Sequence, residues 1–219
     1  MKNNSWKYLV LIGMLTISTA CQQTANVNTP ADIAVATSDT NSTADINAMV
    51  TSRMKGSIKE SSPDAANAPY DLQFLDTMSA HHQSAVDMAK TVVAKSSNAE
   101  LKSFAAKIIR DQNKEIAQMK NWRGKWFAEK PPAMNMEMPG MMDSMRSMNM
   151  KKLEAGGGKL FDLRFLNMMI PHHQGAITMS KEASDKAEHA EIKTLANQII
   201  KSQEEEIKKM QEWKTAWGE

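Results

Sequence analysis

The chain has a single cysteine, Cys21, among 219 residues. That excludes an intramolecular disulfide and any thiolate cluster for a metal. Aromatic residues are scarce, at 5%. An excess of one charge is missing too, since 27 Lys and Arg stand against 25 Asp and Glu. Two of the basic residues, Lys2 and Lys7, fall in the first seven positions, so the remainder is formally neutral. A neutral chain without a basic stripe offers nucleic acid no electrostatic footing. The apolar run YLVLIGMLTI, residues 8–17, is too short for an ordinary transmembrane helix. Also absent is any Glu-x-x-His: three residues before the histidines stand Met78, Ser79, Met169, Ile170 and Lys186. The carboxylate set of a di-iron oxidase is therefore lacking, and no enzyme is expected.

What is present begins with an export signal over residues 1–20. Lys2 and Lys7 precede the apolar run and the small residues Ser18, Thr19 and Ala20 follow it. Cys21 has two readings. It is the acylated first residue of a lipoprotein, although Ser18 stands where an aliphatic is usual, or it is an ordinary first mature residue. Both place the protein outside the cytoplasm, in the periplasm or outer envelope, with a lipid on Cys21 as the only membrane attachment expected. Residues 21–69 are rich in Ala, Thr, Asn, Ser and Asp and read as a flexible tether. A short helical pattern from Ile46 to Ile58 lies within it.

From Asp71 the chain repeats itself. Residues 71–126 align without a gap on 162–217, with 24 of 56 positions identical. Each unit reads as a helical hairpin, 70–127 and 162–219, joined by a Met-rich linker at 128–161. The first helix of each is expected to start after Asp71 or Asp162 as N-cap and to run to Lys95 or Lys186. The second is expected from near Asn98 or His189 to Trp126 or Trp217. Apolar residues recur at three- and four-residue spacing, as in Leu72, Leu75, Met78 and Ala85, or Leu101, Ala105 and Ile108. One hairpin alone buries too little surface, so the two together predict an all-α four-helix bundle.

The stripes are apolar except at one level. Four of the five histidines occur as His81-His82 and His172-His173, flanked by Met78 and Met88 or Met169 and Met179. In the second helices, Gln112 and Glu115, repeated as Gln203 and Glu206, fall opposite them by antiparallel pairing. Buried polar groups need partners, and these four residues are expected to hold the outer nitrogens of ligating histidines. One histidine of each pair is expected to face inward and the other to sit at a seam. Imidazole and thioether without thiolate suit Cu(I), and Ag(I) by the same softness. Eight further methionines, Met134, Met136, Met138, Met141, Met142, Met145, Met148 and Met150, crowd the linker. An exposed loop of this kind invites oxidation, so it is expected to capture metal through weak, exchangeable ligands. Met119 and Met210 are assigned to the core, the tryptophans Trp122, Trp126, Trp213 and Trp217 to one end of the bundle, and His189 to the surface or a cap.

The paired HHQ motifs, the following Met-[Ala/Ser]-Lys and the Gln-x-x-Glu-Ile-x-x-Met-x-x-Trp helix resemble the domain of unknown function 305 family over residues 70–217. The resemblance implies a ferritin-like four-helix bundle, export, and copper or silver binding through Met78, His81, His82, Met88, Met169, His172, His173 and Met179. The expected function is sequestration or transfer of Cu(I), with another envelope copper protein as the partner. A metal-dependent oxidoreductase and an envelope scaffold with structural histidines stand as alternatives.

Overall fold

The computed structural model describes residues 60–218. The export signal, Cys21, most of the tether and the pattern at Ile46–Ile58 lie outside them. Four long helices carry the fold: α1 (Tyr70–Lys95), α2 (Ala99–Trp126), α5 (Gly158–Lys186) and α6 (Ala190–Ala216). Two short ones, α3 (Met141–Ser147) and α4 (Met150–Glu154), lie in the linker. Among the described residues there is no strand. The hairpins α1–α2 and α5–α6 pack on each other chiefly through α1 and α5, and α3 lies along α5.

The helix ends follow local chemistry. Asn98 caps α2 by accepting from the Leu101 amide at 3.1 Å. At the corresponding start of α6, the cap residue His189 provides no such bond. The carboxylate of Asp71, reaching over from α1, accepts instead from the Glu188 and His189 amides, each at 2.9 Å. Asp71 and Asp162 are therefore not the N-caps expected of them. α1 begins two residues earlier than that cap would place it, at Tyr70 behind Pro69, and α5 begins at Gly158. Pro171 lies in the interior of α5, next to His172.

The core divides into two apolar clusters. One gathers Met78, Met119 and Met179 with the linker residues Met136, Met138 and Met141. The other gathers Met88, Met168, Met169 and Met210 with Leu153, Phe161 and Phe165. Because α1 and α5 are related by the repeat, the methionine before one histidine pair lies with the methionine after the other.

The linker is not the flexible loop expected. Met136, Met138 and Met141 are buried, and of the eight linker methionines only Met142 is exposed. Polar groups on α1 hold the strand of chain leading to α3. Asp76 accepts from the Ala133 amide at 2.8 Å, and the Thr77 hydroxyl accepts from the Asn135 amide at 2.9 Å. The end of the tether is held as well: the Ser62 amide donates to the Met134 carbonyl at 2.7 Å, and Ala65 is buried. Methionine is flexible enough to fill irregular gaps. A Met-rich segment can thus pack as core where its spacing gives no helical or strand period.

Candidate metal centre

The repeat sets one His-His pair at the middle of each first helix, and the antiparallel packing of α1 on α5 brings the pairs together. All four rings are fully buried, so neither member of a pair faces outward. His81 and His172 meet at the α1–α5 seam, with ring centroids 3.8 Å apart. His82 and His173 flank them, with centroids 6.2 and 6.3 Å from their neighbours in sequence. The result is a layer of imidazoles between the two apolar clusters. The glutamines of the HHQ motifs are not part of it. Gln83 donates to Asp87 and Gln174 is exposed.

Each ring is held at Nε2. The outer pair bonds to carboxylates of the second helices: His82 to Glu115 at 2.7 Å and His173 to Glu206 at 2.9 Å. An ionised carboxylate only accepts, so both rings donate through Nε2–H. The inner pair bonds to hydroxyls. Ser84 donates its proton to the His81 carbonyl at 2.6 Å and accepts from His172 at 2.7 Å. Ser144, on the linker helix α3, donates to the Gly140 carbonyl at 2.7 Å and accepts from His81 at 3.0 Å. A hydroxyl has one proton, and both are committed to carbonyls. The hydrogen-bond network thus assigns Nε2–H to all four histidines.

The consequence lies at the other nitrogen. The Nδ1 atoms of His81, His82, His172 and His173 are buried and have no hydrogen-bond partner among the described residues. In the Nε2–H tautomer each is a bare lone pair. An unsatisfied buried acceptor costs about 1–3 kcal/mol, and four at one level are a concentrated cost. Such exceptions are expected where function requires them.

Burial pushes the His81 and His172 imidazoles well below their usual range, and the neighbouring imidazoles push the same way. Both rings therefore stay neutral and keep their lone pairs. Burial acts against the ionisation of Glu206, but His173 and Lys107 outweigh it and hold the carboxyl below its usual range. Lys107, from α2, reaches the Glu206 carboxylate at 2.8 Å. In the repeat Gln198 stands in place of Lys107, so this bridge has no counterpart in the other half.

The remaining predicted residues divide by position. Met78, Met88, Met169 and Met179 are fully buried in the clusters on either side of the layer. Gln112 and Gln203 do not bond the histidines. Both amide atoms of Gln112, and Oε1 of Gln203, are buried without a partner among the described residues. With Glu115 and Glu206 they line a cleft of about 250 Å³ between α2 and α6. No group of three or more His, Cys, Asp and Glu is arranged to hold one ion among the described residues. Sequence reasoning missed Ser84, Ser144 and Lys107. The visible signal was the break in the repeat, Ser84 against Gly175, immediately after HHQ.

His189 does not belong to the layer. Its Nδ1 lies 2.6 Å from Asp71, and its ring stacks on Trp126 with centroids 3.8 Å apart. Trp126 stacks in turn on Trp122, and Trp213 on Trp217.

Two like helical hairpins whose seam buries paired histidines, each fixed from behind by an acceptor, define a duplicated four-helix-bundle scaffold. The chain belongs to the domain of unknown function 305 family (DUF305), whose model matches residues 71–214. Among solved structures it is similar to one titled CopM in the Cu(I)-bound form, at 37% identity over 68% of this chain and 98% of that one, TM-score 0.58. A structure titled CopM in the Cu(II)-bound form matches at 39% identity over 67% and 97% of the two chains, TM-score 0.59. A DUF305 protein from Streptomyces coelicolor matches at 31% identity over 68% and 94%, TM-score 0.59. Among curated sequences, uncharacterized protein L153 of Acanthamoeba polyphaga mimivirus is 51% identical over 49 residues. That match spans 22% of this chain and about a third of that protein.

Proposed function

We propose that this protein binds Cu(I), and Ag(I) through the same donors, at the histidine layer, and that it sequesters or hands on the metal outside the cytoplasm. The observation that carries the reading is the set of four buried, unpartnered Nδ1 atoms, each made a lone pair by a hydrogen bond at Nε2. The buried thioethers of Met78, Met88, Met169 and Met179 add soft donors above and below. The titles of the CopM structures, which name Cu(I), Cu(II) and Ag, support the same chemistry for a similar bundle. Thioethers, unlike thiols, need no deprotonation to bind, so their share of the ligation weakens less in acid. Met134, Met142, Met145, Met148 and Met150, the linker methionines that are not fully buried, serve as exchangeable ligands at the surface. We propose a carrier and not an oxidase, tethered to the envelope through a lipid on Cys21.

The test is a Cu(I) titration of the mature protein under reductant, in competition with a chromophoric chelator. A variant with His81, His82, His172 and His173 all changed to Gln is run in parallel. A second has these five linker methionines changed to Leu, which keeps their volume. Tight binding that is lost with the histidines and retained without the thioethers of the linker is expected. Unchanged binding in the histidine variant, with its helicity intact, refutes the reading.

A further inference from the structure

The two halves of the bundle are not equivalent at the inner histidines. Ser84 follows the first pair and Gly175 the second, one of the departures in an otherwise close repeat. In the first half, Ser84 spans from the carbonyl of its own His81 to Nε2 of His172. The mirror-image arrangement would need a hydroxyl at 175, running from the His172 carbonyl to Nε2 of His81. That hydroxyl comes from elsewhere. Ser144 Oγ lies 3.3 Å from the His172 carbonyl and 3.0 Å from His81 Nε2.

The fit is steric as well as polar. A Cβ added to Gly175 would come within 1.7 Å of Ser144 Oγ and 2.4 Å of the Gly140 carbonyl oxygen. A Cβ added to Gly140, whose φ is +87°, would come within 2.4 Å of the Gly175 oxygen. Glycine at both positions lets α3 press onto the backbone of α5, with the fully buried Ser144 at the contact. The chain leading into α3 carries the buried Met136 and Met138, so the whole segment docks with it.

We infer that Ser144 is a positioning residue lent by the linker to the histidine layer, replacing the hydroxyl missing at Gly175. Docking of the Met-rich linker and the Nε2–H tautomer of His81 are therefore coupled. The link to metal rests on the function proposed above. A Cu(I) ion taking the Nδ1 lone pair of His81 favours the tautomer that Ser144 accepts from, and so tightens the linker. By reciprocity, docking tightens the metal by the same factor.

Two substitutions separate the parts of this device. Ser144→Ala keeps the linker seated and removes the acceptor. Gly175→Ser restores a hydroxyl in cis and excludes Ser144, displacing the linker. The first readout is the long-range ¹H–¹⁵N spectrum of the metal-free ¹⁵N-labelled protein, which distinguishes imidazole tautomers. Wild type should show His81 as Nε2–H. Ser144→Ala should lose that signature at His81 while His82 and His173 keep theirs, and Gly175→Ser should retain it. The second readout is limited proteolysis at 134–150, faster in Gly175→Ser than in wild type. Cu(I) should slow cleavage in wild type by roughly tenfold, the lower end of the range for partners that orient a metal ligand, and have little effect in Ser144→Ala. An unchanged His81 tautomer in Ser144→Ala, or a linker equally protected in Gly175→Ser, overturns the inference. Should wild type fail to bind Cu(I), the proposed function falls, and the tautomer spectra still decide the role of Ser144.

Discussion

Mild acid should destabilise the metal-free protein in a defined window. His81 and His172 are fully buried, and burial, reinforced by the other imidazoles of the layer, keeps both well below the ordinary imidazole range. The groups facing them are His82 and His173, which bond to Glu115 and Glu206, and the hydroxyls of Ser84 and Ser144. In the unfolded chain both rings titrate near pH 6.5. A base whose folded value is depressed takes up fewer protons in the native state than in the unfolded one. Its contribution is therefore fully present above about pH 6.5 and is lost as the pH falls toward the folded value. Each ring contributes a slope of about 1.4 kcal/mol per pH unit, so the pair gives about 2.7. Between about pH 7.5 and 5.5 only the unit below about pH 6.5 counts, so the pair removes up to about 2.7 kcal/mol, a sizeable part of the total for a typical domain. Glu206, held below its usual range, adds loss of the same sign at lower pH. The assay is urea unfolding at about pH 7.5, 6.5 and 5.5 on the metal-free protein, beside the double variant His81→Gln, His172→Gln. The variant should flatten the dependence. Wild-type stability that stays constant between about pH 7.5 and 5.5 refutes the account of two neutral buried imidazoles.

Three other outcomes follow from named contacts. Glu206→Gln replaces the carboxylate that accepts from His173; Cu(I) affinity should fall roughly 10- to 100-fold, and an unchanged competition curve would dismiss Glu206 as a fixing group. Met141→Ala empties a fully buried linker position and should cost about 2–5 kcal/mol in urea unfolding, whereas a loss below about 0.5 kcal/mol would mean the linker is not core. Asp71→Asn offers one acceptor oxygen in place of two that serve the Glu188 and His189 amides and His189 Nδ1. Exchange of those two amides should accelerate by roughly tenfold or more, and protection equal to wild type would show that Asp71 does not hold the start of α6.

The duplicated hairpin was legible because its signals are local and periodic. Three- and four-residue apolar spacing in Leu72, Leu75 and Met78, the cap at Asn98, and a gapless repeat require no knowledge of distant contacts. The level of the polar residues was legible for the same reason, since a helical hairpin fixes which turn of one helix faces which turn of the next. The linker was not. Met136, Met138 and Met141 form no stripe, and composition alone suggests solvent exposure.

The sequence by itself determined the helices, their pairing within each hairpin and the burial of both histidine pairs, because hydrophobic period and short connections leave little choice. Only the tertiary structure decided how the hairpins face each other and which nitrogen of each ring is left bare. Those outcomes depend on packing between residues far apart in the chain: His81 on His172 across the seam, and Ser144 in the space left by Gly175. A hydroxyl arriving from a linker of no regular pattern leaves no period to read, and its role exists only once the bundle has closed around it.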